Sequence, residues 1–261
     1  MATARIKPLS VPPQAHSLEM DFWLEELRDS LTEFKVEPSA LTTYPPDVPP
    51  TTAATEDDEF TGTTLDLTKW TWDNLAFPTP DVIATVGDSF LRLNQQGTGA
   101  SSIASIVQAT PSGDWRFRAK LHLDYDHTAY TNQSFGITVF CSDATLRVFR
   151  AELISATTIA TGGIRVSKWY ADRQTFDNVP GGASFQFPLN APVYLEIEND
   201  SGASTLTTRW STSGFDDFHD LAAVTHANIQ ATFTPDYIGL GVWGDNSKPF
   251  VGVCDWWRRM A

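Results

Sequence analysis

The sequence predicts an all-β fold of packed antiparallel sheets, and three observations carry that reading. Apolar and polar residues alternate with a period of two: Val193, Leu195 and Ile197 stand against Tyr194, Glu196 and Glu198, which puts the aliphatic side chains on one sheet face. Clusters of Gly, Asp, Asn and Ser separate such runs along the chain, the punctuation of a sandwich of short strands. The last third also reads as a hairpin followed by two closing strands. Its turn is Asn199-Asp200-Ser201-Gly202, its return strand sets Leu206, Thr208 and Trp210 against Thr205, Thr207 and Arg209, and the closing runs are Tyr237 to Trp243 and Phe250 to Trp257.

Residues 1–56 differ in kind from the rest. Met1 to Ala15 contains Pro8, Pro12 and Pro13, so it reads as an extended arm that cannot hold a helix or a central strand. From about residue 17 to 35, Met20, Trp23, Leu24, Leu27, Leu31 and Phe34 recur at steps of three and four, with acidic residues on the opposite face. This predicts one amphipathic α-helix with Ser17 as N-cap. A helix of this length is marginal alone in water, so its apolar stripe is expected to dock, either on the same chain or on a partner. Residues 37 to 56 then carry Pro38, Pro45, Pro46, Pro49 and Pro50 with five threonines, the composition of a semi-rigid linker. The domain boundary is placed there, with an anchoring and assembly segment at 1–56 and a β domain at 57–261.

Further strands are expected at 82–86, 90–93, 102–107, 115–123, 134–141, 146–153, 164–171 and 183–187, whereas 217–224 reads as a short helix or turn. The chain has 261 residues and a formal net charge of −14. That charge argues against a nucleic-acid partner, because no broad face could neutralise phosphates. No run of 18 apolar residues occurs and the N-terminus lacks a secretory apolar core, so neither a membrane span nor a signal peptide is expected. Cys141 and Cys254 lie in apolar strand contexts and read as buried free thiols.

Several segments resemble the concanavalin A-like lectin/glucanase superfamily. They are Tyr194-Leu195-Glu196-Ile197-Glu198-Asn199-Asp200-Ser201-Gly202, Arg209-Trp210-Ser211-Thr212-Ser213-Gly214, Ile238-Gly239-Leu240-Gly241-Val242 and Cys254-Asp255-Trp256-Trp257-Arg258. An opening strand from Asp57 to Trp70 is similar to the family's start. The resemblance implies a two-sheet antiparallel jelly-roll sandwich from about residue 56 to the end. Some members hold a structural Ca²⁺ between the opening and closing strands, and here Asp57, Asp58 and Asp255 could ligate it. No other cofactor is expected, and the five histidines show no zinc-ligand spacing.

Two candidate sites follow from residue chemistry. Glu196, Glu198 and Asp200 project to one strand face about 6.5 to 7 Å apart, a spacing that glycosidase carboxylates use. The row departs from the laminarinase pattern at its middle residue and its last acid falls in a turn. It therefore reads as a solvated outer face, and no catalytic residue is assigned. Aromatic residues are the stronger lead. Trp169 and Tyr170 with Asp172 and Arg173, and Trp243 with Asp245 and Asn246, combine flat rings with hydrogen-bonding groups, the pairing that stacks on sugars. Nine tryptophans in a sandwich must nevertheless be mostly core.

The layout of arm, helix, tether and displayed β domain is similar to that of tailed-bacteriophage virion proteins. The sequence expectation is a non-enzymatic virion structural protein, either a head decoration or fibre or a tail-associated adsorption protein. It would be made in the host cytoplasm, anchored to capsid or tail proteins through residues 1–56, self-associating, and able to bind a host surface glycan weakly. The alternative is a carbohydrate-active protein, either a glycoside hydrolase of the laminarinase type or a free carbohydrate-binding module.

Overall fold

Period-two alternation builds fifteen strands among the described residues, and almost no helix. The computed structural model describes residues 54–72, 82–95, 103–125, 133–141, 148–155, 162–169, 176–179, 185–187, 192–214, 217–244 and 250–260. The expected arm, the helix bearing Met20, Trp23, Leu24, Leu27, Leu31 and Phe34, and most of the linker lie outside them.

In chain order the strands are β1 (Thr71–Trp72), β2 (Val82–Gly87), β3 (Phe90–Gln95), β4 (Ala104–Ala109), β5 (Trp115–Tyr125), β6 (Gln133–Phe140), β7 (Val148–Ile154), β8 (Gly162–Trp169), β9 (Phe176–Asn178), β10 (Phe185–Phe187), β11 (Val193–Asp200), β12 (Thr205–Ser211), β13 (His219–Thr225), β14 (Tyr237–Gly244) and β15 (Phe250–Met260). They form two antiparallel sheets. The first runs β1-β4-β14-β6-β7-β8-β10 with β9 also on β8, and the second runs β13-β12-β11-β5-β15-β3-β2. This is the two-sheet antiparallel sandwich that the sequence predicts.

The core lies between the inner faces. Phe135, Ile137 and Val139 of β6, Phe149, Ala151 and Leu153 of β7, and Leu240 and Val242 of β14 belong to one buried cluster with Phe117, Ala119 and Leu121 of β5 and Leu195 and Ile197 of β11. Each large apolar side chain removed from water contributes about 1.5–3 kcal/mol. Two glycines of the first sheet are sterically required: a Cβ at Gly136 would overlap the Ala151 carbonyl oxygen, and one at Gly239 would overlap that of Ile106. Both cysteines are buried and unpaired, and burial pushes the Cys254 thiol up, away from the reactive thiolate.

The fold departs from the sequence expectation in two places. The opening segment does not form a strand. It makes a single bridge between Asp58 and Trp257 and then turns, because Asp58 Oδ1 accepts from the Phe60 N–H at 2.8 Å and Asp66 Oδ1 from the Thr68 N–H at 2.9 Å. Such side chain-to-backbone bonds compete with ladder pairing. Residues 217–224 are not a helix or turn either, since most of them enter edge strand β13. Its register against β12 shifts between Thr208 and Arg209, and the buried residues Leu221 and Ala222 are adjacent, so the irregular pairing hides the alternation. A one-turn helix, α1 (His226–Ile229), follows with Thr225 as its N-cap.

Candidate functional site

Strand register decides which polar side chains meet. On the outer face of the second sheet, Arg258 stands opposite Arg118, Arg118 opposite Glu196, Glu196 opposite Arg209 and Arg209 opposite Asp220. The result is a cross-strand charge ladder. Glu196 Oε2 accepts from Arg118 Nη2 at 2.7 Å and Nε at 3.1 Å, while its Oε1 accepts from Arg209 Nη1 at 2.9 Å. The guanidinium of Arg118 lies 4.0 Å from the Phe218 ring centre. Glu196 is 2% exposed, so the expectation of a solvated acidic row is corrected at its first member. Strand pairing brought two arginines, Arg118 and Arg209, directly opposite one carboxylate. Asp200, by contrast, is exposed and caps its turn by accepting from the Ala203 N–H at 2.7 Å.

The outer face of the first sheet gathers a second polar set. Ser105, Gly241, Gly136, Glu152 and Arg165 share one row across five strands, and Val107, Gly239, Thr138, Arg150 and Ser167 share the next. Arg150 and Glu152 are fully buried and paired at 2.7 Å. Glu152 also pairs with Arg165 at 2.7 Å and accepts from Ser167 Oγ at 2.7 Å, and Arg150 Nη2 donates to the Gly241 carbonyl at 2.7 Å.

Trp169 and Trp243, assigned to separate glycan patches in the sequence, meet on this face with ring centroids 5.1 Å apart. Both are buried, at 0% and 4% exposure, within a small cluster that includes Val107, Phe140 and Val148. Their expected role as open sugar platforms is corrected, because the rings pack on each other and on apolar neighbours. Tyr170, Asp172, Arg173, Asp245 and Asn246 lie outside the described residues.

The acids considered for calcium are engaged by protein donors. Asp57 accepts from Arg258 Nη1 at 3.0 Å and from the Arg259 N–H at 2.7 Å, Asp58 from Trp70 Nε1 at 2.8 Å, and Asp255 pairs with Lys120 at 2.6 Å. Among the described residues no group of three His, Cys, Asp or Glu side chains is placed to hold a metal ion.

An open cleft of about 550 Å³ lies where β5 begins, between the ends of β11 and β15. Asp114, Trp115, Arg116, Glu198, Arg259 and Met260 line it, together with Asn199 and Ala54. Glu198 and Met260 both stand opposite Arg116, so these three share the outer face. Glu198 Oε2 accepts from Arg209 Nη1 at 2.5 Å. Asp114 Oδ1 accepts from the Ser201 N–H at 2.8 Å and the Ser201 hydroxyl at 2.6 Å, bonds that hold its carboxyl below the usual range. Arg259 Nη1 donates to Glu56 at 3.1 Å. Sequence reasoning missed this site apart from Glu198. Its residues come from three strands far apart in the chain, and the only signal was the outward alternation of Arg116 with Arg118.

No protein-family model matches the chain, and no curated protein does. Solved structures share its fold. A bifunctional GH43-CE protein of Bacteroides eggerthii is 16% identical with a TM-score of 0.56, over 78% of this chain and 25% of that one. The GH43 protein BlXynB of Bacillus licheniformis is 15% identical with a TM-score of 0.53, over 82% of this chain and 41% of that one. A structure from work on endo-acting O-glycanases of the human gut microbiota is 10% identical with a TM-score of 0.51, over 78% of this chain and 98% of its own. The chain thus spans less than half the length of the GH43 structures it matches. At these identities the likeness shows the fold. It also overturns one expectation: a sandwich shared with glycoside hydrolases gives no ground for reading the chain as non-enzymatic, and that assignment is withdrawn.

Proposed function

We propose that the chain is a carbohydrate-binding β-sandwich of the concanavalin A-like jelly-roll type, with the cleft at the start of β5 as its glycan site. The observation that supports this is the composition of the cleft. Two carboxylates, Asp114 and Glu198, and two guanidinia, Arg116 and Arg259, line it together with Trp115 and Met260 in a volume of about 550 Å³, within the range of small-ligand sites. The test is calorimetric titration or a glycan array with the full chain and a Glu198→Gln/Arg259→Met variant. Binding that weakens about tenfold or more in the variant supports the reading. Glycan binding indifferent to these changes would move the site elsewhere. The same cleft presents two carboxylates, Asp114 and Glu198, to one ligand, which favours glycoside hydrolysis as a second reading. Release of reducing ends that stops in Glu198→Gln would extend the function from binding to hydrolysis.

In this reading the sandwich is displayed on a virion, with residues 1–56 docking on capsid or tail proteins or on copies of themselves. The amphipathic stripe led by Trp23, Leu27 and Leu31 motivates it. Because Glu56 bonds to Arg259 and Gln108, the appropriate truncation begins at Val48. Light scattering should show the full chain self-associating and the Val48–Ala261 form monomeric. A truncated form that assembles as well as the full chain would place the interface on the sandwich instead.

A further inference from the structure

We infer that the cleft selects neutral, polyhydroxylated glycans over acidic ones. The inference rests on the glycan reading given above and adds the chemical class of the ligand. Four charged residues line the cleft, two of each sign: Asp114, Glu198, Arg116 and Arg259. Each already has a protein partner. Glu198 pairs with Arg209, Asp114 accepts two bonds from Ser201, Arg259 pairs with Glu56, and Arg116 lies 3.9 Å from Glu196. An incoming carboxylate or sulfate would therefore meet Arg259 already paired with Glu56, and would lie against the two carboxylates of Asp114 and Glu198, a like-charge contact that disfavours binding.

Hydrogen-bonding capacity remains beside these contacts. Glu198 bonds Arg209 through Oε2, and Asp114 bonds Ser201 through Oδ1. Among the described residues these bonds use neither Glu198 Oε1 nor Asp114 Oδ2, which can accept, nor Arg259 Nε and Nη2, which can donate, and all three residues line the cleft. Acceptors that take hydroxyl protons, beside donors that meet hydroxyl oxygens, match the alternating polarity of a sugar diol. The half-buried side of Met260 supplies apolar surface for the C–H face of a ring, while Trp115, 4% exposed and packed edge-on against Phe117, forms the floor beneath.

The experiment places the full chain on an array carrying neutral, uronate-bearing and sulfated oligosaccharides of equal length, at about 50 and 500 mM salt. The expected result is binding confined to neutral glycans, changed less than about twofold by the salt step and weakened about tenfold by Glu198→Gln or Asp114→Asn. Thermal melts of each variant distinguish a lost contact from a lost fold. Acidic glycans that bind, lose affinity in Arg259→Met and release at high salt would overturn the inference while leaving the glycan reading in place. If no glycan of any class binds, both fall together.

Discussion

Trp257→Ala is expected to destabilise the sandwich by about 3–5 kcal/mol, the range for deleting a large buried aromatic ring. Trp257 is fully buried. The Phe117 ring stacks on it with centroids 5.0 Å apart, and Trp70 meets it edge-on at 5.7 Å. Its backbone exchanges two hydrogen bonds with Asp58, at 2.8 and 2.9 Å, and Asp58 in turn accepts from Trp70 Nε1 at 2.8 Å. One ring therefore fastens the opening segment onto the closing strand. Urea unfolding followed by far-ultraviolet circular dichroism checks the prediction, with Trp257→Phe as a smaller perturbation. A midpoint shift equivalent to less than about 1 kcal/mol for the alanine variant would show that the opening segment does not depend on this packing.

Glu152→Ala should cost a similar amount, about 3–5 kcal/mol, because it leaves Arg150 buried without its carboxylate. Burial pulls the Arg150 guanidinium down to about 10 while Glu152 partly restores it, so it stays charged at neutral pH. The double variant Arg150→Met/Glu152→Leu should recover most of the loss, since an apolar pair removes both desolvation penalties. Burial pushes the Glu152 carboxyl up, but Arg150, Arg165 and Ser167 hold it below the ordinary value of 4.5. A carboxyl depressed in the folded state contributes stability that is present above that ordinary value and is lost as pH falls below it. Urea midpoints between about pH 3 and 7 should fall toward acid in the native protein and fall less in Glu152→Gln. A double variant no more stable than Glu152→Ala alone would mean that packing, not charge, sets the cost.

Several features were legible before any coordinates. The hairpin of β11 and β12 pairs as its alternation requires, with Ile197 opposite Thr208 and Leu195 opposite Trp210. The adjacent Trp256 and Trp257 split between faces, Trp257 entering the core and Trp256 lying 5.8 Å from Tyr194. What alternation could not show is the register shift between Cys254 and Trp256. It lets both Cys254 and Trp257 face the core, although they are three residues apart, and leaves Asp255 outward on Lys120. A bulge is a property of two strands paired, so no single run reveals it.

The sequence by itself determined the class of fold, because the face a strand residue occupies depends only on its neighbours in the chain. The tertiary structure alone decided what the polar residues do. Glu196 and Glu198 are two positions apart on one strand, yet register surrounds the first with Arg118 and Arg209 and sets the second at a cleft. Trp169 and Trp243 read as surface aromatics until pairing across four strands buried them together. Burial and ion pairing are set by which strands lie side by side, and those contacts span up to 203 residues of sequence, as between Glu56 and Arg259. Local chemistry carries no record of a partner so distant, which is why the sandwich could be read from the chain and its cleft could not.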